Sequence, residues 1–341
     1  MTTKSPIGTL LILAAGILVF SAGCSRQGPA VSAAGKAPAL FKVRVQTDWS
    51  AQPEQGGVFQ ALAKGFYRQS GLDVEIISGG PGRPVLTGLL SDQSDIELSQ
   101  SDDVILRVKA GLPLVIIGVA MEHTPLAVMV HDSSPVRTLA DLGGGTVVAL
   151  PGTTWVGFVK ARYHIDFKLV PISFSIAPFM ADRNLIQQCF VTSEPYFVGQ
   201  AGGKARTLLI SDSGYDPYRV YVTTRRFLTE HPDQVRAFAA ASARGWDDFM
   251  SGDATPARLL IESLNPQMTP AFMDYDIAEI AGHRLVSGYA ERGERTGLMK
   301  PERIREQIDQ LVGMNVMAAG LDARDVATFE LNPPAPGGAA R

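Results

Sequence analysis

The chain is poor in the residues on which covalent and metal chemistry rest. It has two cysteines, Cys24 and Cys189, in 341 residues, too few for a disulfide framework or a four-cysteine zinc site. Its five histidines, His123, His131, His164, His231 and His283, show no metal-ligand spacing. Net charge is only −3, so the basic footprint of a nucleic-acid binder is absent. At 45% hydrophobic and 19% charged residues, the composition excludes pervasive disorder, which needs low hydrophobicity and high net charge. No phosphate-binding G-x-x-x-x-G-K-[ST] loop occurs, no G-x-G-x-x-G after a strand, no G-x-S-x-G elbow and no H-E-x-x-H pair. No catalytic residue, cofactor or metal site is expected, and the missing motifs argue against an enzyme without excluding one.

One long apolar run is present, at the N-terminus. Lys4 precedes a stretch, Ile7 to Phe20, that is apolar or small throughout, and Ser21-Ala22-Gly23-Cys24 follows. This is the grammar of a signal peptide over 1–23, and the run falls short of the roughly 20 residues of a membrane span. The cysteine at the cleavage point resembles a bacterial lipobox, with Ser21 where that motif prefers Leu. The resemblance implies lipidation at Cys24, anchoring the mature protein to a membrane outside the cytoplasm. Plain cleavage and release is the alternative. Residues 24–40 are rich in Gly, Ala, Ser and Pro and are expected to form a flexible tether. The stretch 332–341 has a similar composition and is expected to be a disordered tail. Cys189, inside Gln188-Cys189-Phe190-Val191, is expected to be a small buried hydrophobe.

Between these ends, apolar strand patterns alternate with helical ones. Val43, Val45 and Thr47 alternate as in a strand. Phe59, Leu62, Ala63 and Phe66 share a helix face, predicting one helix over Gly57–Ser70 capped by Gly71. Strands are predicted at 73–77, 95–99 and 114–121, with helices at 84–90 and 102–110. The grammar restarts after His131, with strands at 146–150, 168–174, 188–191 and 207–210 and helices at 154–163, 176–184 and 195–200. Such alternation predicts α/β architecture with mainly parallel sheets. Extended segments near 127–131 and 219–223 are expected to cross between two lobes. From Arg226 onward the sequence is helical, and these helices are expected to pack back on the first lobe.

Ligands of open α/β sheets lie outside the carboxyl ends of strands. Five loops there are polar and aromatic: 48–57, 99–103, 151–155, 192–196 and 211–215. Trp49, Trp155 and Tyr196 can stack on a ring. Gln52, Glu54, Asp102, Glu194 and Asp212 can accept hydrogen bonds from ring NH or amino groups, and Ser101 adds a hydroxyl. Gly152-Thr153-Thr154 opens a helix and offers backbone NH groups. Ser101 and Thr153 are equally suited to capping helices, Glu194 to starting one, and Trp49 to a core. Lysine and arginine are sparse in these loops, which disfavours a strongly anionic ligand.

These residues also carry a resemblance. Asp48-Trp49, Gln55-Gly56-Gly57-Val58-Phe59-Gln60-Ala61, Lys64-Gly65-Phe66-Tyr67, Gly71-Leu72-Asp73-Val74, Gly79-Gly80-Pro81 and Gly111-Leu112-Pro113 resemble periplasmic solute-binding proteins of ABC importers. The branch is the one related to the thiamine-pyrimidine precursor synthase, with binders of formylaminopyrimidine, sulfonates, taurine and nitrate among its relatives. The resemblance covers about 41–250. It implies a two-lobed type II periplasmic-binding-protein fold with a helical C-terminal extension. Lobe 1 would be 41–128 plus 222–331, and lobe 2 would be 129–221. It further implies closure on a small-molecule ligand by a monomer, docking to a permease whose ATPase is a separate chain, and no nucleic-acid partner. Trp49 falls at the position of an aromatic that contacts a pyrimidine, and Glu194 at that of an acidic residue on the second lobe. Glu54-Gln55 stand where pyrimidine binders often carry Asn and His, and the cysteine-rich run of the iron-using synthase is missing. The expected ligand is a thiamine-related pyrimidine or a similar small heteroaromatic. A sulfonate, taurine or nitrate ligand and a secreted synthase-like enzyme are the alternatives.

Overall fold

Val43 and Val45 alternate with Lys42 and Arg44, and that alternation buries one side of the first strand, β1 (Phe41–Gln46). The structure is a computed structural model describing residues 39–80 and 83–333. The expected signal peptide over 1–23, Cys24, most of the tether, the turn at 81–82 and residues 334–341 lie outside the described residues. After β1 come α1 (Gly56–Ala63), α2 (Phe66–Gln69), β2 (Leu72–Ile77), α3 (Thr87–Leu90), β3 (Ile96–Gln100), α4 (Ser101–Lys109) and β4 (Leu114–Met121). A second run holds β5 (Leu126–His131), β6 (Thr146–Ala149), α5 (Thr154–Tyr163), β7 (Lys168–Pro171), α6 (Ala177–Ala181), β8 (Ile186–Phe190), α7 (Glu194–Gln200) and β9 (Ala205–Leu209). Then follow β10 (Arg219–Thr224), α8 (Arg225–Glu230), α9 (Pro232–Ser251), α10 (Thr255–Leu264), α11 (Pro270–Gly282), α12 (Pro301–Gly313) and α13 (Ala323–Val326).

Two five-stranded sheets result, in the orders β2-β1-β3-β10-β4 and β7-β6-β8-β5-β9. Each is mixed rather than all-parallel. In the first, β10 runs antiparallel to both β3 and β4; in the second, β5 runs antiparallel to β8 and β9. These are the strands by which the chain enters a sheet from the other one, so the parallel βαβ rule does not govern them. The two connections meet at His123, whose Nδ1 lies 2.6 Å from Asp216 and whose Nε2 lies 3.0 Å from Glu294. Arg303 from α12 adds a 3.1 Å bond to Asp216. The C-terminal extension thus braces the chain where it passes between sheets.

Four local expectations are corrected. The helix expected over 57–70 is broken, because Gly65 takes φ 71° and ends α1 before α2 begins. The strand expected to reach Phe174 stops at Pro171, and Phe174 itself has φ 54°. The helix expected over 176–184 is confined to Ala177–Ala181. Asn332 and Pro333, expected in a disordered tail, are held: Asn332 exchanges two 2.9 Å bonds with the Met299 backbone, and Arg295 donates to the Pro333 carbonyl.

The Gly56-Gly57 pair has a packing reason. A Cβ on Gly57 would meet the Trp246 ring at 2.3 Å, and a Cβ on Gly245 would lie 2.1 Å from the Gly57 carbonyl oxygen. Helices α1 and α9 therefore touch backbone to backbone, with Trp246 and Phe249 buried over them. Helices α12 and α13 pack on α4 and β4. Helix α11 touches the turn at Pro53–Gln55 of the first lobe and also reaches the second. Its Phe272 stacks on Tyr196 at 4.7 Å, and its Tyr275 hydroxyl donates to Val191 O at 2.8 Å. One hydrophobic core accordingly joins Phe59 and Met121, Phe179 and Val198, and Phe272 and Ile280.

Candidate functional site

The loops after β1 and β3 on the first sheet face those after β6, β7 and β8 on the second, and side chains bond across the seam. The loop after β1 is stiff. Thr47 Oγ1 donates to Trp49 O at 2.6 Å, and the Gln52–Gln55 capping box closes a one-turn 3-10 helix at Pro53–Gln55. That turn fixes Glu54, which is buried. Gln52 Nε2 donates to Glu54 at 2.9 Å, and from the opposite sheet Thr192 donates its hydroxyl to the other carboxylate oxygen.

A second link is built on Asp102, at the start of α4. It accepts from the Thr154 hydroxyl at 2.5 Å and from the Tyr215 phenol at 2.7 Å, and the two hydroxyls lie 2.6 Å apart. Thr154 opens α5 on the second lobe, and Tyr215 lies on the return connection. A third contact is aromatic: Trp49 meets Phe174 with ring centroids 5.8 Å apart and planes at 30°.

The electrostatics of the seam are acidic. Burial pushes the Glu54 carboxyl up to about 7, against the Thr192 hydrogen bond, with the Glu194 charge adding to the rise. Burial also raises Asp102 and Glu194. Asp276 of α11 is raised well above the usual carboxylate range by burial and then by Glu54, and its Oδ1 has no hydrogen-bond partner among the described residues. The buried guanidinium here, Arg219 on β10, pairs with Asp48 and lies 5.6 Å from the Phe190 ring centroid. Desolvation brings Arg219 down to about 10. Its charge is spent on Asp48, which Gln55 Nε2 also reaches at 3.1 Å.

The sequence-selected residues divide. Trp49, Gln52, Glu54, Asp102 and Thr154 come together at the seam. Glu194 flanks it, but its carboxylate also accepts from Phe190 N at 2.8 Å and so ties the first turn of α7 to β8. Trp155, expected to stack on a ligand, is fully buried instead, its indole NH donating to Gln188 at 3.0 Å. It is the last residue of its loop and the second of α5, and the helical turn carries its side chain inward. Ser101 is also fully buried and donates to Gln307 of α12. Tyr196 stacks on Phe272 rather than standing free. Asp212 is exposed and makes no side-chain hydrogen bond among the described residues. Gly152 has φ 79°, and Thr153 is the N-cap of α5 without a side-chain cap bond. Sequence reasoning passed over Asp48, Phe174, Thr192, Tyr215 and Asp276. Asp48 and Thr192 lay inside loops already singled out; Asp276 sits mid-helix with no local signal. Burial also pushes the Cys189 thiol well above its usual range, which suits a core residue. No cluster of His, Cys, Asp or Glu that could hold a metal occurs among the described residues.

Comparison with known proteins locates this geometry. The NMT1/THI5-like family model matches residues 52–254. A Haemophilus influenzae protein named as a putative thiamine biosynthesis protein is 29% identical over 145 residues, which is 40% of this chain and 46% of that protein. The chain thus spans about half the length of that relative. A riboflavin-binding protein from Chloroflexus aurantiacus is 22% identical over 263 residues, 71% of this chain and 75% of its own. Among solved structures, the periplasmic aliphatic sulphonate binding protein of Escherichia coli superposes with a TM-score of 0.61 at 16% identity, over 83% of this chain and 91% of that one. The chain belongs to the NMT1/THI5-like family and has the two-lobed fold of periplasmic binding proteins.

Proposed function

We propose that this NMT1/THI5-like protein is an extracytoplasmic solute-binding protein of an ABC importer. It captures a thiamine-related pyrimidine or a similar small, flat, NH-bearing heteroaromatic. The observation that carries the reading is the acceptor-rich seam, with carboxylates at Asp48, Glu54, Asp102 and Glu194 and one buried guanidinium, Arg219, already paired with Asp48. Acceptors of this kind seek NH donors, and Trp49 offers a ring face. The names of the two curated relatives, thiamine biosynthesis and riboflavin binding, run the same way.

Capture proceeds by lobe closure. Closing brings Thr192 to Glu54 and Thr154 to Asp102 and removes water from the groups that read the ligand. A few hydrogen bonds then decide specificity, because polar groups that a wrong ligand fails to match are cut off from water. The ligand leaves unchanged, to a permease served by a separate ATPase chain. The binding protein acts as a monomer held to the membrane by a lipid on Cys24. Thermal-shift screening with pyrimidines, thiamine fragments, flavins, taurine, alkanesulfonates and nitrate tests this; the reading expects stabilisation by ring compounds. A second reading, a sulfonate or nitrate binder, is favoured by the likeness in fold to the sulphonate-binding protein. It would use the α5 N-terminus for the anion, against the field of the seam carboxylates, and stabilisation by anions alone would decide for it.

A further inference from the structure

Phe174 is an anomaly that the binding machinery described above does not use. It is 68% exposed, although phenylalanine belongs in cores. Its backbone holds φ 54°, a region costly for a bulky L-residue. The loop around it is nevertheless anchored. Ile172 N donates to Ala149 O at 3.1 Å, Gln187 Nε2 donates to Ser175 O at 3.2 Å, and Ser175 Oγ accepts from Ala177 N at 3.1 Å. On the opposite sheet, the Trp49 loop is fixed by Thr47. Two anchored loops therefore present one ring each to the other, at 5.8 Å and 30°. That separation is a direct aromatic contact and leaves no gap for a third ring.

We propose that Phe174 is an internal stand-in for the ligand. Its ring stacks on one face of Trp49 across the seam, and a flat ring that takes that face must displace it. Phe174 is then a specificity-determining residue: only a ligand that stacks on Trp49 better than phenylalanine does can hold the site. This rests on the reading of the protein as a binder of ring compounds.

Trp49 reports on its own cover, because Trp155 and Trp246 are fully buried and Trp49 is 37% exposed. In the purified full chain without ligand, Phe174→Ala and Phe174→Gly are expected to shift tryptophan emission to the red and increase acrylamide quenching. In a Trp49→Phe background the same changes should leave emission unaltered. Unaltered quenching in both Phe174 variants with Trp49 present overturns the stack. Calorimetric titration with riboflavin and with 4-amino-5-hydroxymethyl-2-methylpyrimidine then tests displacement. Phe174→Ala is expected to bind the ring probe about two- to tenfold more tightly, the worth of one aromatic pair, while methanesulfonate binding stays where it was. Weaker ring binding in Phe174→Ala overturns displacement and makes Phe174 a grip on the ligand's outer face. If neither protein binds any ring probe, the ring-ligand reading fails and displacement fails with it; the fluorescence result still decides the stack separately.

Discussion

Trp49 and Glu54 do different work, although they sit five residues apart. Trp49 offers area and is half open to solvent; removing it touches little of the core. Trp49→Ala is expected to lower affinity for the ring ligand at least tenfold, about 1.4 kcal/mol, with an unchanged melting temperature. Unchanged affinity by calorimetry would remove Trp49 from the site. Glu54 is buried, so its effect runs through protonation. Its carboxyl titrates near pH 7 when buried and near its ordinary value of 4.5 when released. A raised carboxyl stabilises the closed, folded form fully below the ordinary value, and that contribution is lost as pH rises through about 7. The melting temperature should therefore fall between pH 5.5 and 8.5. Glu54→Gln should flatten the part of the fall near pH 7 and leave the parts carried by Glu122, which burial pushes up to about 8, and by Asp276, which burial raises well above the usual carboxylate range. A Glu54→Gln profile parallel to that of the unsubstituted protein would contradict this assignment. At this scale the sequence was legible where a polar residue follows a strand, as with Glu54 and Asp102. It was misleading at Trp155 and Ser101, because position in a loop does not say which way the first helical turn directs a side chain.

At the scale of elements, helix α1 is held by its lack of side chains. Gly57 and Gly245 let α1 and α9 approach until a single added methyl would strike a carbonyl oxygen at 2.1 Å. Gly245→Ala is therefore expected to destabilise by about 1–3 kcal/mol through overpacking, read as a lower urea midpoint with an unchanged slope. Equal stability would mean that the two helices are less closely packed than described. Hydrophobic periodicity revealed α1, since 3.6-residue spacing is a local property, and the helical character of the region after Arg226 was legible too. What it could not reveal was partnership. Nothing in the local sequence of α11 names its partners, yet Phe272 and Tyr275 reach across to Tyr196 and Val191. The antiparallel sense of β5 and β10 was hidden for the same reason: strand direction is set by which sheet the chain came from, and no residue in 126–131 or 219–224 encodes it.

For the whole molecule, the proposed closure would rest on the bonds between the two sheets, beside the hydrophobic core they share. Thr154→Val deletes the hydroxyl that reaches Asp102 and keeps the side chain's volume. One net hydrogen bond is worth about 1 kcal/mol, so the balance of open to closed should move about fivefold toward open. Small-angle scattering should record a larger radius of gyration in the ligand-free variant and recovery on saturation with ligand. An unchanged radius would mean that Asp102 and Thr154 do not hold the lobes. The central claim is that these lobes close on a ring compound and return it chemically intact. Native mass spectrometry of the protein incubated with the pyrimidine and flavin panel, followed by denaturation and identification of the released molecule, tests it most directly. The account predicts one bound ring compound per chain, released with its mass unchanged. A released compound of altered mass, or binding of sulfonates and no ring compound, would contradict it.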